Sequence, residues 1–489
     1  MRGNPHHLLH DEDDSKGHPR RRRGCCGGLC RATPVWMACV LLSVVGLCAL
    51  FLASPGGSHH SGYAFFASQR GPGAPRGVVT IVDGDFVVRG GSLCEVIAPV
   101  GFNSFDIATV ATVTPQEHRT VKHQTGRVAL DRRLKDARAK GMNVLRTFVP
   151  DVTRANLAAL DALLRAAERH GLRVILSLLD NWHYEGGVDS LVDASETAPA
   201  RTQPRPTDDA SGDFDWRGVT PEAKAYEVRR HALFFTDAGA QRLYRERVRT
   251  VVTRYRHDPT IFAWNLLNEP RCETWLVPEC DDAMQAWVET MAAFVKDIDP
   301  EHLLTVGAEG FWAANAPHAE ANPGEWAGQT GQNFSANHAP AAIDFATLHI
   351  WPDQWNQSSP DAMVEWVQAH AQASKGKPLI LEEFGKKVVR GVKGGSRERD
   401  GEREEQADAE RTRDAAYAQA HALVEASFES GGPLKGSIFW NWEMELLVGA
   451  KEDAYSLRDG DGALALVAEH AERMQSIARE RSCDPHPTV

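Results

Sequence analysis

The sequence predicts a (β/α)8 TIM barrel with an N-terminal β-hairpin, preceded by a single transmembrane helix. Eight short apolar runs alternate with helical patterns between residues 96 and 443. Near-continuously apolar runs suit parallel strands buried on both faces, and eight of them with helical crossovers over roughly 400 residues suit a barrel. No G-x-G-x-x-G or P-loop opens a helix after a strand, which counts against an open doubly wound sheet.

In chain order, residues 1–33 read as a basic cytoplasmic tail. Residues 34–54, PVWMACVLLSVVGLCALFLAS, carry no charge and match the roughly 20 residues that a membrane-spanning helix needs. Arg20, Arg21, Arg22, Arg23 and Arg31 precede this span, and Pro55, Gly56 and Gly57 follow it. The positive-inside rule then places the tail in the cytoplasm and the rest in the lumen or outside. That is a single-pass type II protein of the Golgi or cell surface. The competing reading is a cleaved signal peptide and a secreted chain, but the polar lead is long and no clean small-x-small site follows. Cys25, Cys26 and Cys30 crowd the cytoplasmic flank, where palmitoylation is a candidate modification and a zinc site lacks its second ligand pair. Residues 55–76 form a Gly/Pro/Ser stem, and residues 77–485 the barrel domain.

The barrel domain opens with VVTIVDGDFVVRG, which alternates around Asp83-Gly84 as a hairpin does. The strand-like runs follow at 96–105, 143–149, 173–180, 261–269, 303–310, 344–351, 378–385 and 436–443. Helix candidates between them include 130–141, 154–171 and 281–298, with Gly141 and Gly171 at the ends of the first two. Residues 189–218 read as a loop on the C-terminal face after the third strand. Residues 386–414 read as a solvated loop running into a polar helix. Cys94, Cys272, Cys280 and Cys483 all lie beyond the span, in an oxidising compartment under this topology. Cys272 and Cys280 are close enough to staple one loop. The sequons at Asn333 and Asn356 would be glycosylated only on that side. With 42% hydrophobic and 25% charged residues and a net charge of −12, the chain has ordinary globular composition and nothing that suits a nucleic-acid partner.

The chemistry concentrates at the C-terminal ends of the runs, where barrels of this type build their sites. Those ends carry Arg146, Asp180-Asn181-Trp182, Asn268-Glu269, His349 with Trp351, Glu382-Glu383 and Trp440. The fourth and seventh strands face each other across a barrel, so carboxylates at their ends can flank one bond. Two such carboxylates are what glycoside hydrolysis requires, one as acid on the leaving oxygen and one as nucleophile. Arg146 and Asn268 can keep the two in different protonation states. Glu382 and Glu383 alternate on a strand, so only one is expected to face the centre.

At these residues the chain resembles the endo-β-1,4-mannanases of glycoside hydrolase family five, in the plant and fungal branch. The resemblance rests on FFTDAGAQRLYRERVRTVVTRYRHDPTIFAWNLLNEPRC, VKDIDPEHLLTVGAEGFW, NHAPAAIDFATLHIWPDQW, KPLILEEFG and GMNVLRTFVPD, and spans about residues 78–475. It implies that Glu269 is the acid/base, with Asn268 contacting the sugar 2-hydroxyl. It implies that Glu383 is the nucleophile, supported by Arg146. His349 becomes an active-site histidine and Trp440 the aromatic floor at the cleaved sugar. Arg271, Trp182, Trp312 and Trp355 fall at or near positions that line the sugar cleft. The strand-six motif departs from the family, since HIWPDQW has Trp351 where a tyrosine would bond the nucleophile.

The resemblance therefore implies a retaining endo-1,4-β-mannosidase acting on mannan, glucomannan or galactomannan, with transfer to another sugar hydroxyl as an alternative fate. Two rivals are a related barrel β-glucanase and a catalytically weak carbohydrate-binding homologue. No metal or organic cofactor is expected. The expected partners are a β-mannan substrate and the membrane, with no nucleic acid and a monomeric chain.

Overall fold

The computed structural model describes residues 77–90, 93–105, 107–111, 126–182, 187–203, 219–357, 359, 361–389, 400–444, 453–481 and 483. The expected tail, span and stem lie outside them. No helix among the described residues is long and apolar enough to cross a membrane.

The hairpin expected at the start is the first part of a three-stranded antiparallel sheet, β1 (Val78–Val82), β2 (Asp85–Gly90) and β3 (Leu93–Val96). Eight parallel strands follow: β4 (Val100–Asn103), β5 (Val144–Phe148), β6 (Arg173–Ser177), β7 (Ile261–Asn265), β8 (Leu303–Thr305), β9 (Ala346–Ile350), β10 (Leu379–Phe384) and β11 (Leu434–Phe439). Each lies inside one of the eight apolar runs or overlaps it. Their order in the sheet is β8-β7-β6-β5-β4-β11-β10-β9. At the remaining seam, Asp344 N donates to Leu304 O (2.8 Å) and His349 N to Glu309 O (3.0 Å), which brings the barrel nearly to closure. The architecture is that of a (β/α)8 barrel.

Helices cover the barrel: α1 (Ile107–Val110), α2 (Gly126–Ala139), α3 (Arg154–His170), α4 (Gly187–Asp193), α5 (Pro221–Ala232), α6 (Ala238–Tyr255), α7 (Cys280–Ile298), α8 (Phe334–Asn337), α9 (Ala362–Ala373), α10 (Asp400–Glu429) and α11 (Ala463–Glu480). Helix α3 shows how local chemistry sets the bounds. The Thr153 side chain accepts from Asn156 N at its start, and Gly171 closes it at φ 72°, where a side chain would be strained. Its inner face buries Leu160, Leu163, Leu164 and Ala167. The segment read as a loop from residue 189 instead begins inside α4. Val188 and Val192 are buried there, and Asp189 faces His231 at 3.2 Å. Apolar burial and that polar contact outweigh the loop-like composition. Residues 204–218 lie outside the described residues, as do 390–399 of the charged segment, and α10 begins at Asp400 as the charge pattern suggests.

The interior of the barrel is stratified. Its lower layer is apolar: Val144, Ile175, Phe262, Leu303, Phe345, Ile380 and Ile438. The N-terminal sheet closes this end. Phe86 of β2 sits edge-on to Phe262 (centroids 5.2 Å apart) and to Phe345 (5.4 Å). The sheet is therefore a stopper for the strands' N-terminal mouth, which leaves the C-terminal mouth for polar chemistry. Cys94 of β3 is bonded to Cys483 beyond α11, tying together residues 389 positions apart. Spacing could not have revealed that pairing.

A cross-link over so long a loop removes much of the unfolded chain's freedom, and losing a native disulfide typically costs about 2–5 kcal/mol. Replacing Cys483 by serine is expected to lower the urea midpoint accordingly, with little effect on the site at the opposite end. An unchanged midpoint would show that the bond contributes nothing to stability.

Candidate active site

The C-terminal ends of all eight barrel strands contribute polar or aromatic groups to one buried cluster, and Arg146 of β5 lies at its centre. Its guanidinium is fully buried. Nη1 donates to Glu383 Oε1 (2.5 Å) and to Asn103 Oδ1 (3.0 Å), and Nη2 donates to Asn268 Oδ1 (2.7 Å). Nε lies 3.3 Å from Glu382 Oε1. Asn103 is in turn held by the Glu382 carbonyl at 2.9 Å. Asn268 donates to Asp180 Oδ1 (2.8 Å), whose carboxyl burial pushes up to about 8.

Glu382 and Glu383 both turn inward, contrary to simple alternation. The β9–β10 register shifts between Leu381 and Glu383, so the extra residue breaks the two-residue period. Glu382 lies fully buried, accepting from Asn265 Nδ2 at 3.1 and 3.0 Å. Glu383 keeps the exposed end of the pair, where only 3% of its surface is accessible.

Glu269 follows β7 with φ 47°, a left-handed conformation that costs a non-glycine residue about 1–3 kcal/mol and is found chiefly at functional sites. Its amide donates to Gly307 O (2.8 Å). Gly307 (φ 93°) permits that approach, since a Cβ there would lie 2.1 Å from Asn265 Oδ1. The Glu269 carboxylate accepts from Trp182 Nε1 (2.7 Å) and pairs with His349 Nδ1 (2.7 Å). His349 Nε2 lies 3.4 Å from Glu382 Oε2, and Nδ1 lies 3.6 Å from Glu383 Oε2.

These contacts set the charges. Burial opposes protonation of His349, but Glu383, Glu269 and Glu382 raise its pKa to about 10. Burial would raise the Glu269 carboxyl, yet the His349 bond and charge, then Arg271 and Trp182, bring it down to about 2. Burial lifts Glu383 to about 7 against the pull of His349 and Arg146. Glu269, His349 and Glu383 each offer a ligand atom within 4.8 Å of the others, close enough for a metal ion. A protonated imidazole has no lone pair to give, so the trio suits proton chemistry better.

The remaining predicted residues divide into two groups. Arg271 reaches the cleft: its Nε donates to buried Glu309 (2.7 Å), and its guanidinium lies 5.0 Å from the Trp182 ring. Trp182 and Trp440 are half-buried at the mouth. Trp440 Nε1 donates to Asp453 Oδ2 (2.8 Å), which fixes the ring. Trp351 is 5% exposed and stands edge-on to Trp440 (6.2 Å) and Tyr455 (5.1 Å). Glu383 is thus held by Arg146 and His349, while Trp351 braces the Trp440 ring. Trp312 and Trp355 do not reach the cleft. Trp312 is fully buried against His370 (4.3 Å) and Trp366 (5.5 Å), and Trp355 packs on Phe311 (5.1 Å). Both belong to the aromatic core behind the wall.

Cys272 and Cys280 are bonded to each other across the loop after Glu269. Asn356 is exposed at φ 54°, while Asn333 is half-buried with its amide oxygen enclosed. The sequence reading passed over Glu309, which lies fully buried after β8, hydrogen-bonded to Arg271 and Gln332. The signal was present: like Glu269, it is a carboxylate ending an apolar run.

A family model described as GH family 5 beta-mannosidase-like matches residues 151–461. Mannan endo-1,4-beta-mannosidase 1 of Oryza sativa subsp. japonica is 33% identical over 373 residues, 71% of this chain and 74% of the rice protein. Mannan endo-1,4-beta-mannosidase 3 of the same plant is 30% identical over 435 residues, 81% of this chain and 80% of its own. The crystal structure of the endo-1,4-beta-mannanase from Rhizomucor miehei shares the fold, with a TM-score of 0.58 at 21% identity over 82% of this chain and 99% of that one.

The raised pKa of His349 has a consequence for stability. Its contribution is complete below the free-imidazole value of 6.5 and is lost as pH rises through about 10. Urea midpoints measured between pH 6 and 10 should therefore fall more steeply for the native chain than for His349→Gln. Parallel slopes would refute the protonated imidazole.

Proposed function

The chain belongs to the family 5 mannosidase group of glycoside hydrolases, and we propose that it is a retaining endo-1,4-β-mannosidase that cleaves internal bonds of β-mannans. The observation that carries this reading is the spacing of the two carboxylates. An oxygen of Glu269 and one of Glu383 lie within 4.8 Å of each other across the mouth. Retaining enzymes hold their carboxyl groups about 5–5.5 Å apart, whereas inverting ones leave about 6.5–9.5 Å for a water.

In this mechanism Glu383 attacks the anomeric carbon, guided by Arg146, while Glu269 protonates the leaving oxygen. Glu269 then deprotonates water, or a sugar hydroxyl in transfer, whose oxygen attacks the anomeric carbon and displaces the Glu383 carboxylate, freeing the sugar. One proton belongs to the pair as a unit. Burial holds the Glu383 carboxyl up at about 7, so near neutral pH that proton lies partly on Glu383. The reactive state has the same charge with the proton on Glu269. Asn268, held between Arg146 and Asp180, is placed to contact the sugar beside the acid. The mannan preference is supported by the names of the rice relatives.

The reading extends to location. The uncharged run 34–54 behind its arginines supports a signal anchor. Two disulfides support an oxidising compartment for the barrel. Protease added to sealed microsomes should then remove the tail before Arg31 and spare the barrel. Protection of both would overturn the topology.

For the chemistry, Glu383→Gln should lower turnover of manno-oligosaccharides by a thousand-fold or more (on the order of a nucleophile's loss). Glu269→Gln should cost about 10²–10⁴-fold, and less on an aryl mannoside whose leaving group needs no proton. The first product should carry the β-anomer by NMR. Full activity in Glu383→Gln would refute the assignment, an α-anomer would refute retention, and preference for cello-oligosaccharides would refute the mannan reading.

A further inference from the structure

Trp275 and Trp326 are 52% and 37% exposed, the two aromatic members of the four large hydrophobic residues exposed among those described. Neither has a role in the chemistry above. Single exposed apolar residues are ordinary, but two indoles on joined segments beside a cleft suit a binding surface.

The two rings sit on segments fastened to one another. The loop carrying Trp275 is closed by Cys272–Cys280, with Cα atoms 5.3 Å apart. Cys272 N donates to Thr330 O and Thr274 N to Gln329 O, both at 2.8 Å, which fastens this loop to the turn following Trp326. Trp275 Nε1 donates to Glu273 Oε2 (2.9 Å), so its polar edge is satisfied within the loop. Trp326 stands edge-on to Phe311 (5.1 Å). Arg271 joins these segments to the site: its guanidinium lies 5.5 Å from the Trp326 ring and 5.0 Å from that of Trp182, which donates to Glu269. A polar and aromatic path thus leads from Glu269 through Trp182 and Arg271 to Trp326, with the Trp275 loop fastened beside it.

We propose that Trp275 and Trp326 form a platform for the pyranose rings of the polymer beyond Arg271, on the acid side of the cleft. The proposal rests on the polysaccharide-hydrolase reading above and adds an outer binding site to it. Flat indole faces suit the apolar C–H face of a pyranose, while Arg271 and Glu273 offer partners for its hydroxyls. The occupant is the substrate chain itself, because the path is continuous with the cleft.

Binding and turnover test it together. In the non-cleaving Glu383→Gln background, Trp275→Ala with Trp326→Ala should weaken calorimetric binding of mannohexaose about tenfold. The loss for mannotriose should be smaller. In the active enzyme the ratio of kcat/KM on polymer to that on mannotriose should fall, chiefly through KM. Trp275→Phe should restore most of the Trp275 effect, which a folding defect would not allow. Unchanged mannohexaose binding, or equal losses on both oligomers, would overturn the platform. If the wild type bound mannohexaose through Trp275 yet never cleaved it, the hydrolase reading would fail and the platform would stand.

Discussion

A guanidinium buried in the mouth of a barrel is the constraint around which the rest of this structure is arranged. Removing a charge from water is costly unless partners replace the hydration. Arg146 receives them from β4, β10 and the segment after β7, through Asn103, Glu382, Glu383 and Asn268. Glu382 is the structural half of the compensation, since it lies beneath the surface and bonds only inward. Glu383 is the half that remains available to substrate. The bulge that turns both inward is therefore not an irregularity in an otherwise regular sheet. It is how one strand supplies a counter-ion and a cleft-facing carboxylate side by side.

The charge balance follows from that arrangement. Two cations, Arg146 and His349, face three carboxylates, Glu269, Glu382 and Glu383. One negative charge is left over among buried groups, so one proton is readily held near neutral pH. Glu382 does not compete for it, because Arg146, His349 and Asn265 keep its carboxyl below the ordinary range against the effect of burial. The proton is left to the two carboxylates that face the cleft. An acid and a nucleophile sharing one proton is what the proposed double displacement requires.

Much of this was legible in the chain. Every barrel strand falls on a predicted apolar run, because strands buried on both faces need long apolar segments whatever the details. That Glu269 and Glu383 would meet at one mouth was legible because carboxylates ending apolar runs must converge where the strands end. What escaped depended on geometry that periodicity does not carry. Alternation separated Glu382 from Glu383, and a single extra residue reunited them. Trp312 and Trp355 occur among site-like neighbours, but an indole suits a core as well as a sugar, and here Phe311, Trp366 and His370 enclose them. The Cys94–Cys483 pair joins distant ends, which only the closed barrel brings together.

Trp351 shows how a departure from the family pattern can be absorbed. A tyrosine there would give the nucleophile a hydroxyl partner; an indole cannot accept a hydrogen bond and is a larger shape. The ring instead stands edge-on to both Trp440 and Tyr455, and a Cβ on Gly385 would lie 3.0 Å from its edge. Glu383 is left to Arg146, at a hydrogen-bond distance of 2.5 Å, and to the charge of His349. Two full positive charges hold a carboxylate more firmly than a neutral hydroxyl does. The contacts that orient Glu383 are thus those of the second strand's arginine and the sixth strand's histidine, without a hydroxyl from position 351. The aromatic there is instead a brace for the Trp440 ring.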